Sequence, residues 1–384
     1  MSKVLLGAGL PLTAAFFLWG RVDLSTLSSN GNPNIVGLSS SASDVAMFQF
    51  IAQNSTTSNS RTRTTSADEY FAKHGEIPSP PEIHAVLPQA STTSSPSGDA
   101  KESKNILVVG DVHGCFDEML ELHDKAVREN QDIPFEKVIL VGDLCNKGPE
   151  SAKVVRFVRN KQNWFSVRGN HDDAALAAAL GDETRRKKRK YKWVMEGEKL
   201  EAPNDYNECL ENCEEGFGDK TTVTLNDDDV LWLSQLPYSI TIPGNHLGDV
   251  VDTVIVHGGF IPGEELESQA IETMTTIREV LPVCQGEDVL SYEFHERQKG
   301  KEAITSADKV CEHEPRPWAS VWKGPRRVIF GHDARRGLQR YDGDWAIGLD
   351  TGAVYGRQLT GIILPERKLV SIDTTEHSPT GGSD

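Results

Sequence analysis

Three short apolar runs, residues 105–109, 137–141 and 164–167, each lead into a polar loop that contains glycine, and the stretches between them have helical spacing. Residues 116–130 place Met119, Leu120, Leu122 and Ala126 at helical intervals, and residues 151–160 carry the next such pattern. Runs of four or five apolar residues are strand-sized, so the order is β-α-β-α-β. That order implies parallel strands whose loops gather at one carboxyl edge, and it predicts an α/β fold. Further strand-like runs follow at closer spacing, at 238–242, 251–256, 327–330, 345–349, 359–363 and 368–372. They predict a second, more antiparallel sheet packed on the first. At 384 residues the chain has room for one large domain and an appendage, and it shows no internal repeat.

The appendage is the first quarter of the chain. Residues 4–20 carry no charge and follow Lys3, which is the lower limit of a membrane span. A secretory signal has the same start, but Leu18-Trp19-Gly20-Arg21 stands where a small-x-small cleavage site belongs, so residues 1–23 are expected to be an uncleaved anchor. A mitochondrial presequence is the other alternative, with only Lys3 and Arg21 as positive charge. Residues 24–103 are rich in Ser, Thr and Pro and lack the apolar mass to offset their ordering entropy, which predicts a disordered stalk. The ordered domain is expected at 104–374 and a disordered tail at 375–384. The expected location is a single-pass membrane protein of the endomembrane system or vacuole, with a secreted or mitochondrial protein as the alternative. Asn54-Ser55-Thr56 is a glycosylation acceptor if the stalk is lumenal.

Five motifs carry the chemistry: Gly110-Asp111-Val112-His113-Gly114, Gly142-Asp143-Leu144-Cys145-Asn146-Lys147-Gly148, Arg168-Gly169-Asn170-His171-Asp172, Val256-His257-Gly258-Gly259 and Phe330-Gly331-His332-Asp333. Any one alone reads as a turn or a stray histidine. All five in order, mostly after strand-like runs, read as a ligand set for two metal ions. Asp111 and His113 sit two apart and point at one ion, while Asp143 has two oxygens and is the natural bridge. Asn170 adds an amide oxygen, and His257 and His332 add imidazoles. Oxygen and nitrogen ligands without thiolate fit zinc, manganese or iron better than calcium or magnesium. Two such ions, about 3.5–4 Å apart, clamp a phosphoryl group and bring the pKa of a bound water to about 7. His171 follows the Asn ligand and is expected to protonate the leaving oxygen.

These motifs, with Leu349-Asp350-Thr351-Gly352, resemble the calcineurin-like metallophosphoesterases over residues 104–374. The resemblance is strongest to the ApaH-like phosphatase branch, which includes diadenosine tetraphosphatases and a membrane-anchored vacuolar endopolyphosphatase. Lys147, where most relatives have Arg, and the segment from Gly331 to Leu338 point to that branch. The resemblance implies an α/β/β/α sandwich of two mixed sheets flanked by helices. It also implies that Asp111, His113 and Asp143 bind one ion, and Asp143, Asn170, His257 and His332 the other. In the related protein Ser/Thr phosphatases an Asp partners the catalytic His; Asn146 stands there instead, which leaves Asp172, Asp173 or a later acid as candidate replacements. Lys147 keeps a positive charge but loses the fork of Arg.

A net charge of -17 argues against general nucleic-acid binding, beyond a nucleotide substrate. Against that background residues 185–192 (Arg-Arg-Lys-Lys-Arg-Lys-Tyr-Lys) form a basic block that suits a linear polyanion or a solvated loop equally. Lys147, Arg335 and Arg336 are the expected phosphate contacts. The leading expectation is therefore a hydrolase of phosphoanhydrides, with inorganic polyphosphate first and dinucleoside polyphosphates second. A Ser/Thr phosphoprotein phosphatase and a silent membrane adaptor are the competing classes; the intact ligand set speaks against the adaptor. Six cysteines are too few for a disulfide scaffold, although an oxidising compartment would allow Cys209–Cys213 and Cys284–Cys311 pairs.

Overall fold

The structure is a computed structural model and describes residues 77–88, 105–199, 222–285, 288–295 and 314–378. The hydrophobic opening, residues 1–23, lies outside them, as do Cys209, Cys213 and Cys311. Cys284 is disulfide-bonded, and Cys115 and Cys145 are free and buried. Among the described residues no helix is long and apolar enough to cross a membrane.

The β-α-β-α-β series forms as the spacing predicts. Strand β2 (Ile106–Val109) leads into α1 (Phe116–Glu129), β3 (Lys137–Leu140) into α2 (Ser151–Asn160), and β4 (Trp164–Ser166) into α3 (Asn170–Ala179). Strands β2, β3 and β4 pair in parallel. Helix α1 buries Phe116, Met119, Leu122 and Ala126, a single stripe at three- and four-residue intervals, against one face of this sheet. Alternation along β2 divides the core: Leu107 and Val109 join the helix side, while Ile106 and Val108 join a second cluster with Ile240, Ile255, Ile329 and Ile347 between two sheets.

The second sheet draws on β1 (His84–Val86), β7 (Ser239–Ile242), β8 (Thr253–Val256), β12 (Arg327–Phe330), β13 (Gln339–Arg340) and β14 (Ala346–Gly348), in the order β1-β7-β8-β12-β14-β13. It is mixed and not mainly antiparallel, because β1–β7, β8–β12 and β12–β14 all pair in parallel. The close spacing misled because long connections, not short hairpins, separate β8, β12 and β14. Strands β15 (Gln358–Leu364) and β16 (Lys368–Asp373), expected in the second sheet, instead complete the first as its antiparallel edge, order β16-β15-β2-β3-β4. Two small sheets lie outside this sandwich. One joins β5 (Glu198–Lys199) to β6 (Thr222–Val223), and the other sets β9 (Glu279–Gln285) between β10 (Asp288–His295) and β11 (Arg316–Pro317).

Two expected boundaries move. Residues 77–88 are not stalk: β1 pairs with β7, Ala85 and Leu87 are buried, and the His84 ring meets Ser239 Oγ at 2.8 Å. A five-residue run, Ile83-His84-Ala85-Val86-Leu87, is strand-sized, and averaging composition over eighty residues conceals it; its flanking prolines are tolerated because β1 is an edge. At the other end, Glu376 bridges Tyr355, and His377 Nε2 lies 2.8 Å from Glu118 Oε1. The tail expected from 375 is therefore docked through Ser378, whose N–H donates to Val354 O.

Candidate active site

Each sheet delivers polar side chains from the carboxyl ends of its parallel strands. Asp111 and His113 follow β2, Asp143 follows β3, and Asn170 opens α3 after β4; His257 follows β8, His332 follows β12 and Asp350 follows β14. His113, Asp143 and His332 have positive φ, as do Asn146 and Lys147, so the backbone is held in a region costly for non-glycine residues where the chemistry converges. Glycine is obligatory at two contacts: a Cβ on Gly169 would lie 2.2 Å from Asp143 Oδ1, and one on Gly331 would lie 2.0 Å from Asp111 Oδ1.

Asp143 is the shared member of two groups whose ligand atoms lie within 4.8 Å of one another, His113–Asp143–His171 and Asp143–His257–His332. Its Oδ2 is 3.4 Å from His113 Nε2 and its Oδ1 is 3.3 Å from His257 Nε2. Asn170 Oδ1 stands 3.0 Å from the same His257 nitrogen. Asp143, Asn170, His257 and His332 are thus brought together, with Asp143 common to both groups. Asp111 sits beside them, with its carboxylate accepting the His332 N–H at 3.0 Å. Burial and the neighbouring Asp350 raise the Asp111 carboxyl well above the usual range. Burial opposes ionisation of Asp143 as well, yet the surrounding histidines hold it well below that range. The His171 N–H, at the start of α3, donates to Asp143 Oδ1 at 2.9 Å, so the positive end of the helix supports the same charge.

The outer ring nitrogens decide what the histidines offer. His113 Nδ1 donates to Cys145 O at 3.1 Å, His257 Nδ1 to Val141 O at 3.0 Å, and His332 Nε2 to Thr276 O at 3.0 Å. A carbonyl can only accept, so each proton sits outward and each lone pair faces the centre, the arrangement of metal-bound imidazoles. Burial and Lys147 lower His113 to about 3, and burial and Arg278 lower His332 well below its ordinary value, so both are neutral ligands. His257 differs: burial pulls it down, but the Asp143 carboxylate outweighs this and raises it to about 9. The field there calls for a positive charge that a divalent cation supplies. Three inward lone pairs, a carboxylate shared by both groups and an amide oxygen make a donor set that fits divalent ions.

The chain belongs to the calcineurin-like phosphoesterase family. The family model for calcineurin-like phosphoesterases matches residues 104–348. Over 282 residues the chain is 27% identical to an asymmetrical bis(5'-nucleosyl)-tetraphosphatase of Bacillus velezensis, covering 70% of this chain and 92% of that one. It is 28% identical to a symmetrical bis(5'-nucleosyl)-tetraphosphatase of Methylobacillus flagellatus, covering 69% and 93%. A crystal structure provisionally assigned as a diadenosine tetraphosphatase covers 77% of this chain and 99% of its own, at 26% identity and a TM-score of 0.48. The calcineurin-like chain is a metal-dependent hydrolase of phosphate esters or anhydrides.

Other expected contacts in this phosphoesterase fall differently. Lys147 Nζ stands 3.2 Å from His113 Nε2 and 5.5 Å from the Tyr355 ring. The Arg336 guanidinium is tied to Asp333 and Glu279, two carboxylates that compete with the expected phosphate contact. Arg335, one residue earlier, is exposed. Of the basic block, Arg185 pairs with Asp182, and Arg186 closes the end of α3 through Ala178 O and Ala179 O at 2.7 and 3.0 Å. Lys190 is near enough to help lower His171, which burial holds well below its usual value.

Neither Asp172 nor Asp173 replaces the acid missing at 146. Asp172 Oδ1 accepts Leu144 N at 2.9 Å and Asp172 Oδ2 accepts Gly169 N at 2.9 Å, stapling the Asp143 loop to α3. Burial and Asp143 raise its carboxyl to about 7. Asp173 faces Arg168 and the Tyr238 hydroxyl. Asn146 itself meets His171. Sequence reasoning missed Arg278, whose Nη2 donates to His332 O at 3.1 Å, and Trp193, which donates to Asn146. No motif marks either. Asp350 lay in a quoted motif without a role, although its place after a strand repeats the pattern of Asp111 and Asp143.

Proposed function

We propose that this phosphoesterase hydrolyses phosphoanhydride bonds, with inorganic polyphosphate as the preferred substrate. The observation that carries this reading is a set of cations around the metal-facing residues of a chain whose net charge is -17: Lys147 at His113, Lys190 within electrostatic range of His171, and Arg278 at His332. A concentrated positive rim in an acidic protein favours a substrate with several adjacent phosphates over one isolated phosphomonoester. Asp111, His113, Asp143, Asn170, His257 and His332 would hold two divalent ions, whose chemistry there would be charge neutralisation on a phosphoryl group and activation of water. Lys147 and Arg278 steady the flanking phosphates, and His171 faces the oxygen that departs. The exposed Lys187, Lys188 and Arg189 extend the positive surface beyond the centre.

Dinucleoside polyphosphates are the second reading, favoured by the names of the relatives, both of which are bis(5'-nucleosyl)-tetraphosphatases. A panel of long- and short-chain polyphosphate, diadenosine tetraphosphate, capped RNA and phosphopeptide, each with zinc, manganese, cobalt and magnesium, separates the two. Polyphosphate should give the highest kcat/KM, and a large excess of diadenosine tetraphosphate cleavage would reverse the order. Localisation on an endomembrane, through residues 1–23, completes the proposal. Full-length protein should resist carbonate extraction, and a mature form that starts after about residue 20 would replace the anchor by a cleaved signal.

A further inference from the structure

Asn146 is completely buried, so each of its polar atoms needs a partner. Trp193 Nε1, which can only donate, reaches Asn146 Oδ1 at 2.7 Å. That contact fixes the amide: Nδ2 faces His171, with the backbone O at 3.0 Å and ring Nδ1 at 3.4 Å. The reverse amide would set NH2 against the indole N–H and Oδ1 against a carbonyl, two repulsive contacts in a buried place. Both amide hydrogens therefore point at acceptors, and His171 Nδ1 presents its lone pair to one of them. A neutral imidazole has one N–H, which leaves it on Nε2. This is the inverse of His113, His257 and His332, whose outer nitrogens face carbonyls and whose lone pairs turn inward. A ring nitrogen of His171 lies within 4.8 Å of the ligand atoms of His113 and Asp143, and with Nδ1 engaged by Asn146 it is Nε2–H that looks into the centre.

We propose that Asn146 and Trp193 are positioning residues that hold the His171 proton on Nε2, so that His171 stabilises the leaving oxygen by a hydrogen bond without releasing its proton. The inference rests on the phosphohydrolase reading of this site and narrows its substrates to those whose leaving group is a stable oxyanion. In anhydride cleavage, water forms the new P–O bond and loses a proton to solvent. The bridging P–O bond breaks with its electron pair on the departing phosphate, and His171 ends as it began. A phosphate can leave in this way because its last ionisation lies at about 6. An alkoxide from a serine phosphate needs a full proton, and a neutral imidazole that gave one would become an imidazolate. A second proton on Nδ1 would meet the Asn146 NH2 head-on. Trp193 lies on a short helix, α4 (Lys192–Glu196), immediately after the basic block.

The test uses full-length protein loaded with zinc and labelled with 15N-histidine. Long-range proton–nitrogen correlation should show His171 with a bare Nδ1 and a protonated Nε2; a protonated Nδ1 in the native protein overturns the proposal. In parallel, kcat/KM is measured for substituted phenyl phosphates of increasing phenol basicity and for diadenosine tetraphosphate. The native enzyme should lose activity steeply as the leaving phenol becomes more basic. Asn146→Asp replaces the donor by an anionic acceptor, so it should place a second proton on Nδ1 while Nε2–H is kept; Nε2–H can then be released to the leaving oxygen, which should flatten that slope and raise the phenyl phosphate to tetraphosphate rate ratio about ten- to a hundredfold. Trp193→Phe frees the amide to turn and should give a mixed tautomer, with a lower kcat/KM for the tetraphosphate and no flattening of the slope. A folded N146D protein with the native slope overturns the leaving-group restriction. A protein with the expected tautomer that cleaves no anhydride overturns the functional reading while the tautomer assignment stands.

Discussion

The two sheets supply the centre in different ways. The first sends Asp111, Asp143 and Asn170 from three strands that follow one another in sequence, while the second sends His257, His332 and Asp350 from strands joined by long excursions. Oxygen donors thus come mainly from the locally built half, whereas the half assembled at long range sends two imidazoles, His257 and His332, to meet His113 and His171. Local β-α-β units fold with short loop closure, whereas the second sheet gains its pairing only after distant segments meet. The oxygen half is accordingly the more self-sufficient, and the nitrogen half depends on edges such as β1.

Asp143 is the point where the halves meet, and its loss should have the largest effect. Asp143→Asn is expected to abolish turnover and lower bound metal, as read by metal analysis on the purified variant. Retention of both ions and of near-native rate would dissolve the shared centre. His171→Ala, outside the ligand set, should retain its metal while kcat falls about 10²–10³-fold, the scale for loss of one donor to developing charge. Metal loss in that variant would instead make His171 a ligand.

The next contrast tests the edge. A chain that starts at residue 100 loses β1 and the burial of Ala85 and Leu87, together with the Pro78 O contact to Arg168 Nη2 at 3.3 Å. It should be less stable than one that starts at residue 72 by about 2–4 kcal/mol, since burying one leucine is worth about 1.5–3 kcal/mol. Equal midpoints in urea would show that the second sheet does not need its edge. The smallest effects separate two arginines. Arg278→Ala should raise KM severalfold with little change in stability, whereas Arg336→Ala should cost about 1–2 kcal/mol through its two carboxylate partners and change KM little. The opposite pattern would return Arg336 to the substrate.

The same difference governs what could be read from sequence. Strand, helix and ligand in the first sheet repeat at short range, so residues 105–180 announce both fold and site. His257 and His332 were legible from their motifs because glycine flanks each, but the parallel pairing of their strands was not, since no local pattern encodes which distant strand lies alongside. Strand β1 vanished into a polar average. Trp193 and Arg278 act through single hydrogen bonds made in three dimensions, to Asn146 and to a main-chain carbonyl, and such contacts leave no spacing in the sequence. Adjacency in sequence likewise does not make Asp172 or Asp173 a partner of His171, because consecutive positions on a helix turn their side chains to different neighbours.

Gly331 belongs to one sheet and Asp111 to the other, and the clearance between them is narrower than a methyl group. An alanine at 331 would therefore act as a wedge across the seam, pushing the His332 loop and the Asp111 side chain apart without removing any polar side chain. In a survey of inherited or laboratory variants it would look innocuous, small for small and with no charge gained or lost. Its bearer would carry an intact set of metal-binding side chains that no longer converge.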